Sequence, residues 1–179
     1  MSKKAKSKAY SPTCLEMEIC VSRKFNWREC IIVPNVSWGL QLHECDLLIV
    51  NKSGYATEVE IKISLADLKK DAGKRHAHKS DKIKYLYFAI PEKLLPHIQH
   101  IPEHAGILVL KRHRISENEA FSYVEQVREA KKNPRSRALF PNEIADVARL
   151  GCICMRIWRL KQTVLEQKGI IKQSQLNKK

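Results

Sequence analysis

The stretch ECDLLIVNKSGYATEVEIKISLADLKKD, residues 44–71, contains the signals that decide the fold of this chain. Aliphatic runs on either side of NKSG predict two strands, at about 43–50 and 55–64, joined by a tight hairpin. Ser64 and Asp67 then form an S-x-x-D pattern that resembles a capping box, so a helix is expected to begin there. The stretch therefore predicts a strand, a hairpin, a strand and a helix in succession.

The length of the hairpin loop predicts which residues of the two strands lie opposite each other. If residues 52–54 form a three-residue loop that ends in a left-handed glycine, Asn51 pairs with Tyr55. Continued along the hairpin, this register sets Asp46 opposite Glu60, on one face of the sheet. Two carboxylates so close would repel each other. A divalent metal ion between them would relieve this repulsion and is expected to raise the melting temperature of the protein. In the absence of metal, Asp46→Asn is expected to raise the melting temperature by removing one of the two charges.

Residue types alternate along both predicted strands. In the second strand, three aliphatic residues alternate with three ionisable ones, namely Val59, Ile61 and Ile63 with Glu58, Glu60 and Lys62. Because successive side chains of a strand point to opposite faces, each strand is expected to bury one face and to expose the other. The exposed face would collect the ionisable groups.

Weaker signals extend this pattern over the rest of the chain. Thr13 is placed to cap a helix running to about Phe25, with an inward stripe of Leu15, Glu18, Ile19 and Ser22. Further strands are expected at 30–33 with 36–38, 85–90, 106–111 and 121–127, and a short helix at 92–99. A long amphipathic helix should begin at Pro141 and reach about Gln167. This order predicts an α/β fold with a mixed central sheet and a C-terminal helical extension.

The 179 residues are enough for one domain with an appendage. The expected divisions are a basic tail (1–12), a core domain (13–130), a linker with the C-terminal helix (131–168) and a second basic tail (169–179). The lysines of the two tails either stay solvated or contact phosphates.

The composition indicates the class of partner. Lys and Arg number 33 against 19 Asp and Glu, a net charge of +14, which favours a polyanion such as nucleic acid. No apolar run approaches the roughly 20 residues of a membrane span, and no secretory signal begins the chain, so a cytoplasmic protein is expected. The six cysteines are then expected to be mostly buried thiols.

Asp46, Glu60 and Lys62 offer the chemistry of a metal-dependent hydrolase. Mg²⁺ prefers oxygen ligands and typically takes one or two carboxylates. The two carboxylates, together with the carbonyl of Ile61, are therefore candidate ligands of Mg²⁺ or Mn²⁺. Lys62 could hold or deprotonate the attacking water while the metal stabilises charge on a phosphate. A second interpretation stays open, in which these side chains are paired charges on a solvated strand face.

The same residues resemble the PD-(D/E)XK nuclease superfamily, although Cys45 stands at the proline position of that motif. The resemblance implies a restriction-endonuclease-like αβββαβ core, with Asp46 and Glu60 as metal ligands, Lys62 as catalytic lysine and Glu18 as an accessory acid. More narrowly, the opening stretch, DKIKYLYFAIPE (81–92) and RLGCICMRIWRLK (149–161) resemble MmcB-type DNA repair proteins and their phage-encoded relatives.

The resemblance implies a Mg²⁺- or Mn²⁺-dependent DNA endonuclease in DNA repair, recombination or phage DNA processing. Its DNA contacts are expected from the basic residues that follow the motif, Lys69, Lys70, Lys74, Arg75, Lys79 and Lys82. The sequence leaves open whether the protein acts alone or as a homodimer.

Two other classes of function are compatible with the sequence. Residues 143–158, with Gly151 as a turn, have some character of a helix-turn-helix DNA-binding module. An adaptor whose nuclease site has decayed is the third hypothesis. His76 and His78 are expected to be solvated or to contact phosphate, and the three tryptophans are expected to pack in the core.

Overall fold

The computed structural model describes residues 11–36, 40, 42–71, 80–116 and 120–155. Its elements, in chain order, are α1 (Cys14–Lys24), β1 (Ile31–Val36), β2 (Cys45–Val50), β3 (Ala56–Ile61), α2 (Leu65–Asp71), β4 (Ile83–Pro91), a 3₁₀ segment (Glu92–His100), β5 (Gly106–Arg114), β6 (Ala120–Arg128) and α3 (141–155). The predicted α/β class and the initial order αβββαβ are confirmed.

The six strands form one mixed sheet in which sequence neighbours are also spatial neighbours. The β1, β2 and β3 strands are antiparallel, whereas β3, β4 and β5 run parallel and β6 returns antiparallel to β5. Parallel neighbours need a crossover connection. Here α2 and the 3₁₀ segment supply the two crossovers.

The hairpin between β2 and β3 has the predicted register. Leu47 lies opposite Val59, and the Asn51 N–H donates to the Tyr55 carbonyl at 3.1 Å. Gly54 has φ +75°, the left-handed conformation that the three-residue loop requires. Loop length and one glycine were therefore sufficient to predict how these strands align.

Both faces of the sheet are covered, which the alternation of residue types did not predict. The α1 helix packs on one face, against residues such as Leu47, Val59 and Tyr87. The α3 helix covers the other face near Leu48 and Val50, and α2 with the 3₁₀ segment covers that face near β4 and β5. The expected solvent-exposed charged face is therefore wrong, because helices cover the sheet on both sides.

The α1 helix begins as predicted but turns a different side inward. The Thr13 hydroxyl accepts a hydrogen bond from the Glu16 N–H at 3.1 Å and so caps the helix. The fully buried side is formed by Met17, Cys20 and Val21. Leu15 and Ile19, expected in the core, are each 44% exposed. The helix meets the sheet through a stripe two positions further along the chain, because the tertiary contact selects the face.

The α3 helix runs without interruption through Gly151, so the predicted turn at that residue is wrong. A Cβ atom on Gly151 would lie 3.3 Å from Val33 Cγ2, which shows that this glycine allows close helix–strand packing. Residues beyond 155, including the predicted end of this helix, lie outside the described residues. The described residues therefore lack the turn at Gly151 that the helix-turn-helix hypothesis requires.

Some smaller expectations also changed. Trp27 is 64% exposed and not part of the core, while Trp38, Trp158, His76 and His78 lie outside the described residues. All six cysteines are free thiols, but only Cys20 and Cys45 are buried. Within the described ranges, no helix has the length and apolar composition that a membrane span needs.

Candidate active site

The ladder between β2 and β3 ends where their ionisable residues meet. Because Asn51 and Tyr55 form a hydrogen-bonded pair, strict alternation would make the Ile61 N–H donate to the Cys45 carbonyl. It donates instead to Asp46 Oδ2, at 2.7 Å. The Asp46 carboxylate therefore accepts the hydrogen bond that the Cys45 backbone carbonyl would accept in a regular ladder. It does so at the point where the two strands separate.

Lys62 brings the two predicted carboxylates together. Its Nζ atom lies 2.5 Å from Glu60 Oε2 and 3.9 Å from Asp46 Oδ2. Glu60 is 1% exposed and Lys62 4%, whereas the Asp46 side chain is 38% exposed. The cluster is thus a buried ion pair with one carboxylate open to solvent.

The two carboxylates do not meet as directly opposed side chains on one face. Cys45 packs with Leu48 and Val50, although two-residue alternation would place it with Leu47. The start of β2 is therefore rotated, and Asp46 points toward α1. The predicted register is confirmed, but the predicted face-to-face arrangement of the carboxylates is wrong, because the strand twists where its ladder ends.

Glu18 completes the cluster from α1. It is half-buried, and burial followed by the negative charge of Asp46 raises the pKa of its carboxyl group. The pKa of the neighbouring Cys14 thiol is raised by burial and then by Asp46 and Glu18. Glu18 and Cys14 therefore lie close enough to Asp46 for its charge to act on them.

A second buried carboxylate, which the sequence reasoning did not single out, lies beside this cluster. Glu58 is 0% exposed, and its Oε1 atom is 2.8 Å from His43 Nε2. Burial, and then the charges of Glu58 and Glu60, raise the pKa of the Cys45 thiol. The sequence offered one signal for this contact, a glutamate in the middle of a predicted strand. When such a strand is buried on both faces, the glutamate needs a polar partner.

The predicted DNA-binding residues divide into three groups. Lys69 and Lys70 are exposed at the end of α2. Lys74, Arg75 and Lys79 lie outside the described residues. Lys82 contacts the Leu40 carbonyl and lies 3.1 Å from Glu143 Oε1, so its ammonium is engaged by α3. We therefore retain Lys69 and Lys70 as exposed candidates and leave Lys82 out.

The described residues contain no group of three or more His, Cys, Asp or Glu side chains arranged to hold a metal ion. Two carboxylates are nevertheless enough for Mg²⁺, which keeps several waters. The carboxylates of Asp46 and Glu60 already share one cationic group, the Lys62 ammonium. Carboxylate oxygens of both residues therefore lie within reach of one cation. The full ligand set, which includes the Ile61 carbonyl, stays a prediction.

Comparison with known proteins gives the fold alone. No family model and no curated protein sequence matches this chain. A solved structure of a protein of unknown function from Silicibacter pomeroyi is similar, with a TM-score of 0.52 and 18% identity. The match covers 84% of this chain and 89% of that protein. Its extent shows that the two share one architecture over most of their length.

Proposed function

We propose that this chain is a Mg²⁺- or Mn²⁺-dependent DNA endonuclease that acts in DNA repair, recombination or phage DNA processing. The main support is the convergence of Asp46, Glu60 and Lys62 at the point where β2 and β3 part. This cluster occurs within an αβββαβ order, which is the core implied by the resemblance to PD-(D/E)XK nucleases.

Each residue of the cluster has a distinct proposed role. Asp46, Glu60 and the Ile61 carbonyl would hold the ion. When bound, such an ion stabilises negative charge on a phosphate and promotes ionisation of water. Lys62 presents an ammonium beside both carboxylates, where it can orient the attacking water or stabilise phosphate charge. Glu18, whose pKa is raised, can exchange a proton with solvent at a higher pH than an ordinary glutamate.

The burial of this cluster supports the proposal. Glu60 and Lys62 are held within a packed sheet, where charges interact more strongly than in water. Asp46 is the open side, through which ion and substrate would enter. The exposed Lys69 and Lys70 of α2, which follows β3 directly, would contact the DNA backbone.

A second candidate is a non-catalytic DNA-binding protein or adaptor with a nuclease-like fold. The 2.5 Å contact between Lys62 and Glu60 supports it, because this ion pair can be a structural element of the sheet. Both candidates bind DNA, so cleavage distinguishes them.

The test is a cleavage assay of Asp46→Asn and Glu60→Gln on linear, nicked, single-stranded and branched DNA, with Mg²⁺ or EDTA. We expect each variant to lose cleavage by at least about 100-fold, because each weakens charge stabilisation at the reacting phosphate. Glu29→Gln is the matched control, since Glu29 is an exposed carboxylate that also pairs with a lysine, Lys52.

Cleavage by the wild-type protein in EDTA, or by either variant at the wild-type rate, would contradict the nuclease proposal. Failure of the wild-type protein to cut any of the four substrates while it binds them would favour the non-catalytic alternative. Melting temperatures measured alongside show whether a loss of cleavage reflects unfolding, which matters for the buried Glu60.

A further inference from the structure

A cavity of about 450 Å³ lies at the opposite end of β4 from Lys62. The β4 strand starts at Ile83, but its pairing with β5 starts only at Tyr87 and Gly106. Beside the half of β4 that pairs with β3 but not with β5 runs the segment 131–137, which the sequence predicted as part of a linker. The cavity is lined by both the strand and this segment, and its cationic side chains are Lys84, Lys131, Lys132 and Arg135.

Asn133 fixes this segment, which we call the basic wall (131–137), against β4. Its side-chain amide donates to the carbonyls of Ser80 and Ile83, at 2.8 and 2.9 Å, and its N–H donates to the Lys84 carbonyl at 2.9 Å. The Lys131 N–H donates to the His104 carbonyl at 2.8 Å. The cations of the wall therefore project from a backbone that is already held in place.

The cavity also contains a carboxylate, Asp81, whose charge faces a guanidinium of the wall. Arg137 Nε lies 3.3 Å from Asp81 Oδ2, and the Arg137 N–H donates to the Asp81 carbonyl at 2.8 Å. Arg137 itself does not line the cavity, and the four cationic residues that do line it outnumber this one acid. The cavity is therefore electropositive and suited to an anion.

Aromatic and apolar groups accompany the cations. Lys84 Nζ lies 3.5 Å from the centre of the Tyr55 ring, a cation–π contact that positions the ammonium. Tyr85, Leu86 and Pro134 add aromatic and apolar surface to the lining. A ligand that combines a phosphate with a flat ring is complementary to such a mixture.

We propose that this cavity binds one phosphate-bearing nucleotide unit. Its volume lies within the roughly 300–1,000 Å³ typical of small-ligand sites. From Ile83 to Ala89, which pairs with Ile61, β4 rises roughly 20 Å, so the cavity is distinct from the Asp46, Glu60 and Lys62 cluster. The unit is either a free nucleotide or one nucleotide of a strand, because both present the same chemistry.

The experiment measures binding in EDTA, so that failure of the proposed cleavage activity does not affect it. The probes are thymidine 5′-monophosphate, thymidine and a labelled single-stranded 12-mer of thymidine nucleotides, followed by calorimetry and fluorescence anisotropy. We expect a phosphorylated probe to bind at least about tenfold more tightly than thymidine, since the cations recognise the phosphate.

Two variants of the basic wall localise the site. Lys131→Ala with Lys132→Ala should weaken phosphate binding at least about fivefold and, for the 12-mer, lower the salt slope by up to about 1.4. The matched control, Lys24→Ala with Arg28→Ala, removes two exposed cations elsewhere and should change binding less than about twofold. Asn133→Ala keeps every charge but releases the wall, and should also weaken binding.

The outcomes separate the two sources of the nucleotide. Binding of the monophosphate indicates a free nucleotide, and binding of the 12-mer alone indicates a strand. The proposal is overturned if thymidine binds as tightly as the phosphorylated probes or if no probe binds. It is also overturned if the control double variant weakens binding as much as the wall variant does.

Discussion

Charged side chains lie in opposite environments at the two ends of the β3–β4 pair. At the Lys62 end, an ammonium and a carboxylate are buried and paired with each other. At the other end, Lys131, Lys132 and Arg135 are exposed on the basic wall. A buried charge requires a partner because it has lost its hydration, whereas an exposed cation keeps water until a ligand replaces it.

Because of this difference, substitutions at the two ends should affect different properties of the protein. Substitutions in the buried cluster should change both the free energy of unfolding and any activity. Substitutions of exposed wall lysines should change ligand binding and leave stability within about 0.5 kcal/mol. Three measurements of stability test the comparison, and the first has the largest expected effect.

Lys62→Met should lower the free energy of unfolding by about 3–5 kcal/mol, because it removes the cation that Glu60 contacts inside the sheet. The double variant Lys62→Met with Glu60→Gln should recover most of this loss, since no ionic group then remains at either position. Urea denaturation at pH 7 measures both. The matched control is Lys132→Met on the exposed wall. Equal effects of the two lysine substitutions would contradict the comparison.

Glu143→Gln should lower the free energy of unfolding by about 1–3 kcal/mol at pH 7. The Arg137 guanidinium, 2.7 Å away, together with the Phe140 N–H and Lys82, lowers the pKa of Glu143 from 4.5 to about 2. A lowered carboxyl pKa contributes stability above the unfolded value and loses it as the pH falls. The deficit of the variant should therefore shrink between about pH 4.5 and pH 2.

Urea denaturation of Glu143→Gln between pH 2 and pH 7 tests this dependence. Asp146→Asn is the control, because Asp146 pairs with Arg149 on the exposed side of the same helix. It should cost no more than about 1 kcal/mol. A deficit of Glu143→Gln that stays constant down to pH 2 would show that the ion pair does not stabilise α3 and the wall.

Asp46→Asn should have the smallest effect on stability. The structure reverses the expectation from sequence that this change raises the metal-free melting temperature. Lys62 lies beside both carboxylates, and the Ile61 N–H donates to Asp46, so the charge of Asp46 is stabilised. The metal-free melting temperature should fall by about 1–4 °C, since an asparagine oxygen can still accept from Ile61.

Mg²⁺ should raise the melting temperature of the wild-type protein and have little effect on Asp46→Asn, because the variant lacks one of the proposed ligands. Glu29→Gln should keep the full response to Mg²⁺. An increase in the metal-free melting temperature of Asp46→Asn would show that repulsion between the carboxylates dominates, as the sequence alone suggested.

Local signals in the sequence were reliable where short-range geometry decides the structure. The three-residue loop with Gly54 predicted the register of β2 and β3. Thr13 predicted the start of α1, and Ser64, whose hydroxyl accepts from the Asp67 N–H at 3.2 Å, predicted the start of α2. These features depend on a few adjacent residues, so the sequence contains everything that specifies them.

Predictions failed where distant segments decide burial. The register of β2 and β3 does not predict the contact between His43 and Glu58, because His43 precedes β2 and Glu58 pairs with Leu48 in the ladder. The contact depends on how the segment before β2 packs against the sheet. The basic wall resembled a linker because its lysines, Pro134 and polar residues suit an exposed segment. This segment is fixed against β4 only because the Asn133 side chain donates hydrogen bonds to the carbonyls of Ser80 and Ile83, which are distant in sequence.

By itself, the sequence determined the αβββαβ order, the hairpin register and the proximity of Asp46 to the strand that bears Glu60 and Lys62. The tertiary structure alone decided that Glu60 and Lys62 are buried, that Asp46 accepts a hydrogen bond from the Ile61 N–H, and that a cavity forms beside β4. The physical reason is that turns and caps form between neighbours in the chain. Burial and cavities arise only when helices from both ends of the chain pack on the sheet.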